Sequence, residues 1–221
     1  MKNILIAVIF VFATTSLASA ELLTTANPIR KGKWALSLSA VQNSNASNKS
    51  NYSIVSSGAS IGYGIDDKLD AYLIGGVSNV NGLPSQFTSS ITSYGLIAKY
   101  AILGESDGFP VSVAAGIGYK ALSYKNTAPA GDTSPTGSQL LAGFGISKII
   151  IPFIPYAGLI YRSTSQSGSS PLSQIDLTIG SAIAWSKEGA VLAEYTIQSI
   201  TPNGGTNYQS GQIGFSVAYK I

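Results

Sequence analysis

The sequence predicts an all-β protein, a transmembrane up-and-down antiparallel β-barrel of ten strands that follows a cleaved signal peptide. Three observations carry that expectation. Mean hydropathy is positive at +0.26, yet nothing beyond the N-terminus approaches the roughly 20 apolar residues of a membrane helix. Segments of about ten residues with two-residue alternation recur down the chain, separated by stretches rich in Asn, Ser, Gly, Pro and Asp. Charged residues make up only 10% of the chain, against about 25% in ordinary soluble domains.

The first element is an address. Lys2 supplies a positive start, Ile4 to Ala13 is an unbroken apolar run, and Ala18-Ser19-Ala20 matches a cleavage site. The expected organisation is therefore a signal peptide over 1–20, a polar periplasmic leader over 21–33 and a barrel over 34–221. Strands are expected at 34–41, 52–63, 70–79, 90–102, 109–121, 138–149, 153–164, 172–185, 190–200 and 209–221. The last strand shows the pattern most clearly: Ile213, Phe215, Val217, Tyr219 and Ile221 alternate with Gly214, Ser216, Ala218 and Lys220. Successive strand side chains point to opposite faces, so one face is large and apolar, the other small or polar.

Connections after odd-numbered strands are longer than those after even-numbered ones, which in an up-and-down barrel sorts long loops to one rim. The long loops are expected outside the cell and the termini in the periplasm. A β-sandwich would share the strand count, but its outer face would carry charge. Here the second face is Gly, Ser, Ala and Thr. An inside-out barrel, with large residues toward lipid and closure satisfying every backbone group, fits that face better.

An exported, cysteine-free chain of alternating strands that ends in an alternating strand resembles the small outer-membrane β-barrels of Gram-negative bacteria, porin-like and opacity-type barrels among them. In that family the last strand is an assembly signal, and Ile213, Phe215, Val217, Tyr219 and Ile221 occupy its positions. Ile221 departs from the Phe or Trp more usual at the end. The resemblance implies a bacterial outer-membrane location, with outer-membrane lipid, lipopolysaccharide and the barrel assembly machinery as partners.

Aromatics near the expected strand ends suggest girdles at the membrane interfaces: Trp34, Tyr63, Tyr100, Tyr119, Phe153, Tyr161, Trp185 and Tyr219. By parity, Lys99, Lys120, Arg162, Asp176, Glu194 and Lys220 line the lumen. Arg162 and Asp176 are placed to pair across the seventh and eighth strands, and Glu194 lies on the strand next to that of Lys220. Such charges form either a structural ion-pair network or a selectivity filter. Asp66, Asp67, Lys68, Asp70, Lys187 and Glu188 read as solvated turn residues. Small inward residues, Gly62, Gly116, Gly118 and Gly143 among them, suggest water-filled lumen space.

The chain contains no cysteine and no histidine. That removes thiolate chemistry, the commonest general base and the commonest metal ligand. No catalytic spacing stands out, so the expectation is a protein that is not an enzyme and needs no cofactor or metal. A net charge of +3 gives no case for nucleic acid. The favoured function is a porin-like narrow channel for ions or small solutes. The alternatives are a non-conducting structural or surface protein whose long loops bind or adhere, and a carrier of small apolar molecules.

Overall fold

Strict alternation at the C-terminus leaves the last strand one apolar face and two hydrogen-bonding edges, and both edges are used. In the computed structural model, which describes residues 26–44, 53–129, 131–203 and 207–221, the strand β10 (Tyr208–Lys220) pairs with both β9 (Gly189–Pro202) and β1 (Trp34–Ser44). The remaining strands are β2 (Ser53–Gly64), β3 (Leu69–Asn81), β4 (Thr88–Leu103), β5 (Ser112–Thr127), β6 (Thr136–Ser147), β7 (Phe153–Gln166) and β8 (Leu172–Ala184). Each pairs antiparallel with its neighbours in sequence, and the β1–β10 ladder, from Ala35 opposite Lys220 to Ser44 opposite Gly211, closes the sheet into a barrel. Closure leaves no strand edge, the condition for a sheet in lipid. No helix among the described residues is long and apolar enough to cross a membrane, which says nothing of strands. The expected signal peptide lies outside the described residues.

The outer surface is inside-out relative to a soluble protein. Leu38, Leu73, Leu96, Ile117, Leu140, Ile179 and Phe215 all point outward and are more than half exposed. An apolar surface running round the whole barrel far exceeds what soluble monomers leave in water. Among the described residues the ladders shift register in β4–β5, between Ala101 and Leu103.

One rim, here called proximal, carries the start of β1, the end of β10 and the connections 65–68, 104–111, 148–152 and 185–188. The distal rim carries the others. The expected contrast in loop length is weaker than the sequence suggests: distal connection 82–87 is shorter than proximal connection 104–111. Strands run further toward the distal rim than expected. β5 continues to Thr127, with Leu122 and Tyr124 inward and Ser123 and Lys125 outward. That polar extension reads as loop by composition while keeping the two-residue period.

At the proximal rim the Asp66 carboxylate accepts the backbone N–H groups of Lys68 and Leu69, both at 2.7 Å. These bonds hold its pKa below the ordinary value of 3.8. The residues before β1 turn sharply here. Arg30 adopts φ 83°, Gly32 N–H donates to Gly64 O at 2.9 Å, and Gly64 N–H donates to Lys33 O at 3.0 Å. A Cβ on Gly64 would stand 1.9 Å from the Arg30 carbonyl oxygen. Gly64→Ala is therefore expected to lower stability by about 1–3 kcal/mol, the range for overpacking a fixed site, as a drop in the urea midpoint. An unchanged midpoint would mean the turn is free to move.

Candidate functional site

The lumen is filled from two sources, the N-terminal segment and the inward side chains of the strands. Residues 26–29 enter from the proximal rim as a strap, with Ala26 and Ile29 buried. The barrel grips the strap largely through its backbone. Ser147 Oγ accepts the Ala26 N–H at 2.9 Å, and Asp70 accepts the Ile29 N–H at 3.0 and 3.2 Å. Lys99 Nζ donates to Asn27 O and Lys220 Nζ donates to Pro28 O, each at 3.1 Å. Ser112 Oγ donates to the Asn27 side-chain oxygen at 2.8 Å. Proline at 28 suits this course, since it has no N–H to satisfy.

Asp70 is the residue most misjudged from sequence. Its place after Asp66, Asp67 and Lys68 suggested a solvated turn, but it is the second residue of β3, points inward and is fully buried. There it pairs with Lys99 at 3.2 Å and accepts the Tyr72 hydroxyl at 3.2 Å, while the ammonium lies 5.3 Å from the Tyr72 ring centre. The sharp β2–β3 turn brings the acidic side chain back over the lumen instead of leaving it on the rim.

Deeper in, buried polar side chains form a belt of hydrogen-bonded groups. Arg162 Nε donates to Asp176 Oδ2 at 2.6 Å, and Gln174 Nε2 donates to Asp176 Oδ1. Gln139 donates to Thr164 at 2.9 Å, and Thr178 and Thr196 share a hydrogen bond of 2.8 Å. Asn43 donates to Gln198 and Gln198 donates to Gln212, both at 2.8 Å. Lys120 stands opposite Gln139 in the β5–β6 ladder and is buried. Asn43, Gln139, Arg162, Gln174, Asp176, Thr178, Thr196, Gln198 and Gln212 are each at most 2% exposed. A water-filled path past them would expose at least one.

Apolar layers lie on both sides of this belt. Toward the distal rim Ile54, Val80, Ile91, Leu122, Tyr124, Leu172 and Ile200 pack together. Toward the proximal rim Tyr72, Ile74, Ile97, Leu141 and Ile160 pack with Ile29 of the strap. Gly62, Gly118 and Gly143 serve this packing and do not leave space. A Cβ on Gly118 would meet Ile97 at 2.9 Å and Leu141 at 3.2 Å, and one on Gly62 would meet Ile29 and Tyr72 at 2.6 Å. At these glycines small residues face large ones across the lumen, so small size there was not a sign of void.

Lys99, Lys120, Arg162, Asp176 and Glu194 are all buried within the barrel, and Lys220 is partly buried there. Arg162 meets Asp176. Glu194 and Lys220 do not meet: Glu194 accepts the Tyr156 hydroxyl at 3.0 Å, while Lys220 turns to the strap. Lys220 lies at the end of β10, whereas Glu194 pairs with Gly214 further in. Ile213, Phe215, Val217, Tyr219 and Ile221 point outward. Trp34, Tyr63, Tyr100, Phe153, Trp185 and Tyr219 lie outward near the proximal rim, with the Trp34 and Tyr63 rings 4.7 Å apart. Tyr119 and Tyr161 are also outward but lie further along β5 and β7. Reading by charge missed Asp70, the strap, Tyr156 and the glutamines. Inward parity of Gln139, Gln174, Gln198 and Gln212 was the available signal. Among the described residues no three metal-ligating side chains come together.

The chain matches no described protein family and no curated protein. Solved structures do resemble it. The translocator domain of autotransporter NalP from Neisseria meningitidis is 10% identical, with 86% of this chain and 88% of that one covered and a TM-score of 0.51. The beta domain of the Bordetella autotransporter BrkA is 13% identical, with 85% and 98% covered and a TM-score of 0.51. Such identities speak for architecture alone, and the chain has the fold of an outer-membrane β-barrel.

Proposed function

We propose that this chain is an integral protein of a bacterial outer membrane whose barrel is closed to solutes. It serves as a structural support that displays its distal connections outside the cell, with the strap, the start of β1 and the end of β10 in the periplasm. The observation that carries the reading is the polar belt, sealed above and below by apolar layers. It favours the non-conducting alternative over the porin-like channel, because a pore needs a continuous hydrated path. Apolar layers at two levels also leave no continuous polar surface along which an ion could move.

The protein is read as non-catalytic. Asp176 and Asp70 are the buried aspartates of the lumen, and each is held by a cation and further donors. Neither is placed to meet a substrate.

Paired cysteine variants test the display. Asp132→Cys, in the distal connection 128–135, is expected to react with a membrane-impermeant maleimide on intact cells. Lys187→Cys, in the proximal turn 185–188, is expected to react only after the outer membrane is broken. The opposite pattern would overturn the orientation, and no reaction of either on intact cells would overturn surface display.

A further inference from the structure

We propose that the proximal end of the lumen is a binding pocket for a small amphipathic monoanion, its charged head on Lys220 Nζ and its hydrocarbon against the alanine-lined wall of β8–β10. This goes beyond the closed-barrel reading, since the pocket is blind and passes nothing through.

The strap fills only one side of the proximal lumen. It packs against Tyr72, Ile74 and Ile97 of β3 and β4, while the opposite wall carries Ala182, Ala184, Ala190, Leu192 and Ala218, with Ile154 beside them. A cavity of about 650 Å³ remains between strap and wall. That is within the roughly 300–1,000 Å³ of small-molecule sites. On the strap's side of the lumen Tyr72, Ile74, Ile97, Leu141 and Ile160 pack together. On the opposite wall successive inward positions of β8, Ala182 and Ala184, are both alanine, and facing positions on β9 and β10 are Ala190 and Ala218. Ala182 and Leu192 of this lining are buried and pack with Tyr156.

Alanine methyls and a leucine lining a cavity of this size favour a hydrocarbon ligand, because covering apolar surface removes it from water. The head-group preference comes from the cations. Lys99 lines the cavity but is neutralised by Asp70 at 3.2 Å. Lys220 also lines it, and among the described residues its ammonium donates to one acceptor, the Pro28 carbonyl, with no carboxylate within ion-pair distance. An ammonium has three donors. Arg30 adds a second positive charge to the lining, while Lys68 and Asp107 at the mouth pair with each other at 3.7 Å. Asp67, Lys187 and Glu188 complete the rim. A carboxylate with a medium-length alkyl chain fits both the single buried-side cation and the apolar wall.

The test uses the full barrel in zwitterionic nanodiscs, with alanine methyls labelled for NMR and octanoate as the probe. Saturable shifts of the Ala182, Ala190 and Ala218 methyls are expected. Octanol should bind at least tenfold more weakly, and Lys220→Gln should bring octanoate down to the octanol level, as loss of a charge-assisted hydrogen bond implies. Ala218→Leu, which fills the cavity and leaves Lys220 in place, should abolish the shifts. Absence of saturable shifts in the natural chain would overturn the pocket. Equal binding of octanoate and octanol, or unchanged octanoate binding in both variants, would overturn the assignment of head and wall.

Discussion

Replacing Arg162 with alanine is expected to destabilise the folded barrel by about 3–5 kcal/mol, the cost of leaving one partner of a buried ion pair alone. Arg162 and Asp176 are both fully buried, and their contact of 2.6 Å lies inside the belt that seals the lumen. The single variant strands the Asp176 carboxylate with only Gln174 as a described donor. The double variant Arg162→Met with Asp176→Leu removes both charges, and should recover most of the loss because an apolar pair of similar volume avoids the desolvation cost. Urea unfolding in lipid vesicles, followed by the fluorescence of Trp34 and Trp185, measures both. A loss below 1 kcal/mol in the single variant, or a double variant no more stable than the single one, would contradict the account.

Asp70→Ala is the second large effect, again about 3–5 kcal/mol, with a local signature. Asp70 faces Lys99, which is 2% exposed, and holds the Ile29 N–H of the strap. Losing the carboxylate leaves a buried ammonium without its counter-ion and the strap without its main anchor. Hydrogen exchange at the Ile29 amide should speed up by at least a hundredfold, as local opening of the strap becomes easier. Amides in the β7–β8 ladder should exchange at unchanged rates relative to global unfolding. Ile29 protection equal to that of the natural chain would show that Asp70 does not hold the strap.

Much of the architecture was legible because strands in lipid obey a simple rule: large outside, small or polar inside, two residues per repeat. Parity alone therefore oriented Arg162, Asp176 and Glu194 and brought the first two together. Three things were not legible. Asp70 sits two residues past a charged turn, at the expected start of the third strand, and composition there did not tell an inward strand residue from a solvated rim residue. The strap has no period at all; its hold on Ser147, Ser112 and Lys220 depends on contacts up to 192 positions apart. Finally, whether Gly62 or Gly118 leaves a void depends on what faces it across the barrel. A one-dimensional pattern does not specify that, and here Tyr72, Ile97 and Leu141 fill the space. The same ambiguity made a channel seem the natural function of small inward residues.

The central claim is that the lumen is closed by its own side chains, and single-channel recording in a planar bilayer tests it most directly. The natural chain, confirmed as folded by heat-modifiable migration, is expected to give no discrete current steps, whichever polarity is applied. Stepwise, ion-selective conductance from the same sample would contradict a sealed belt at Arg162, Asp176 and Gln139, and would restore the channel reading.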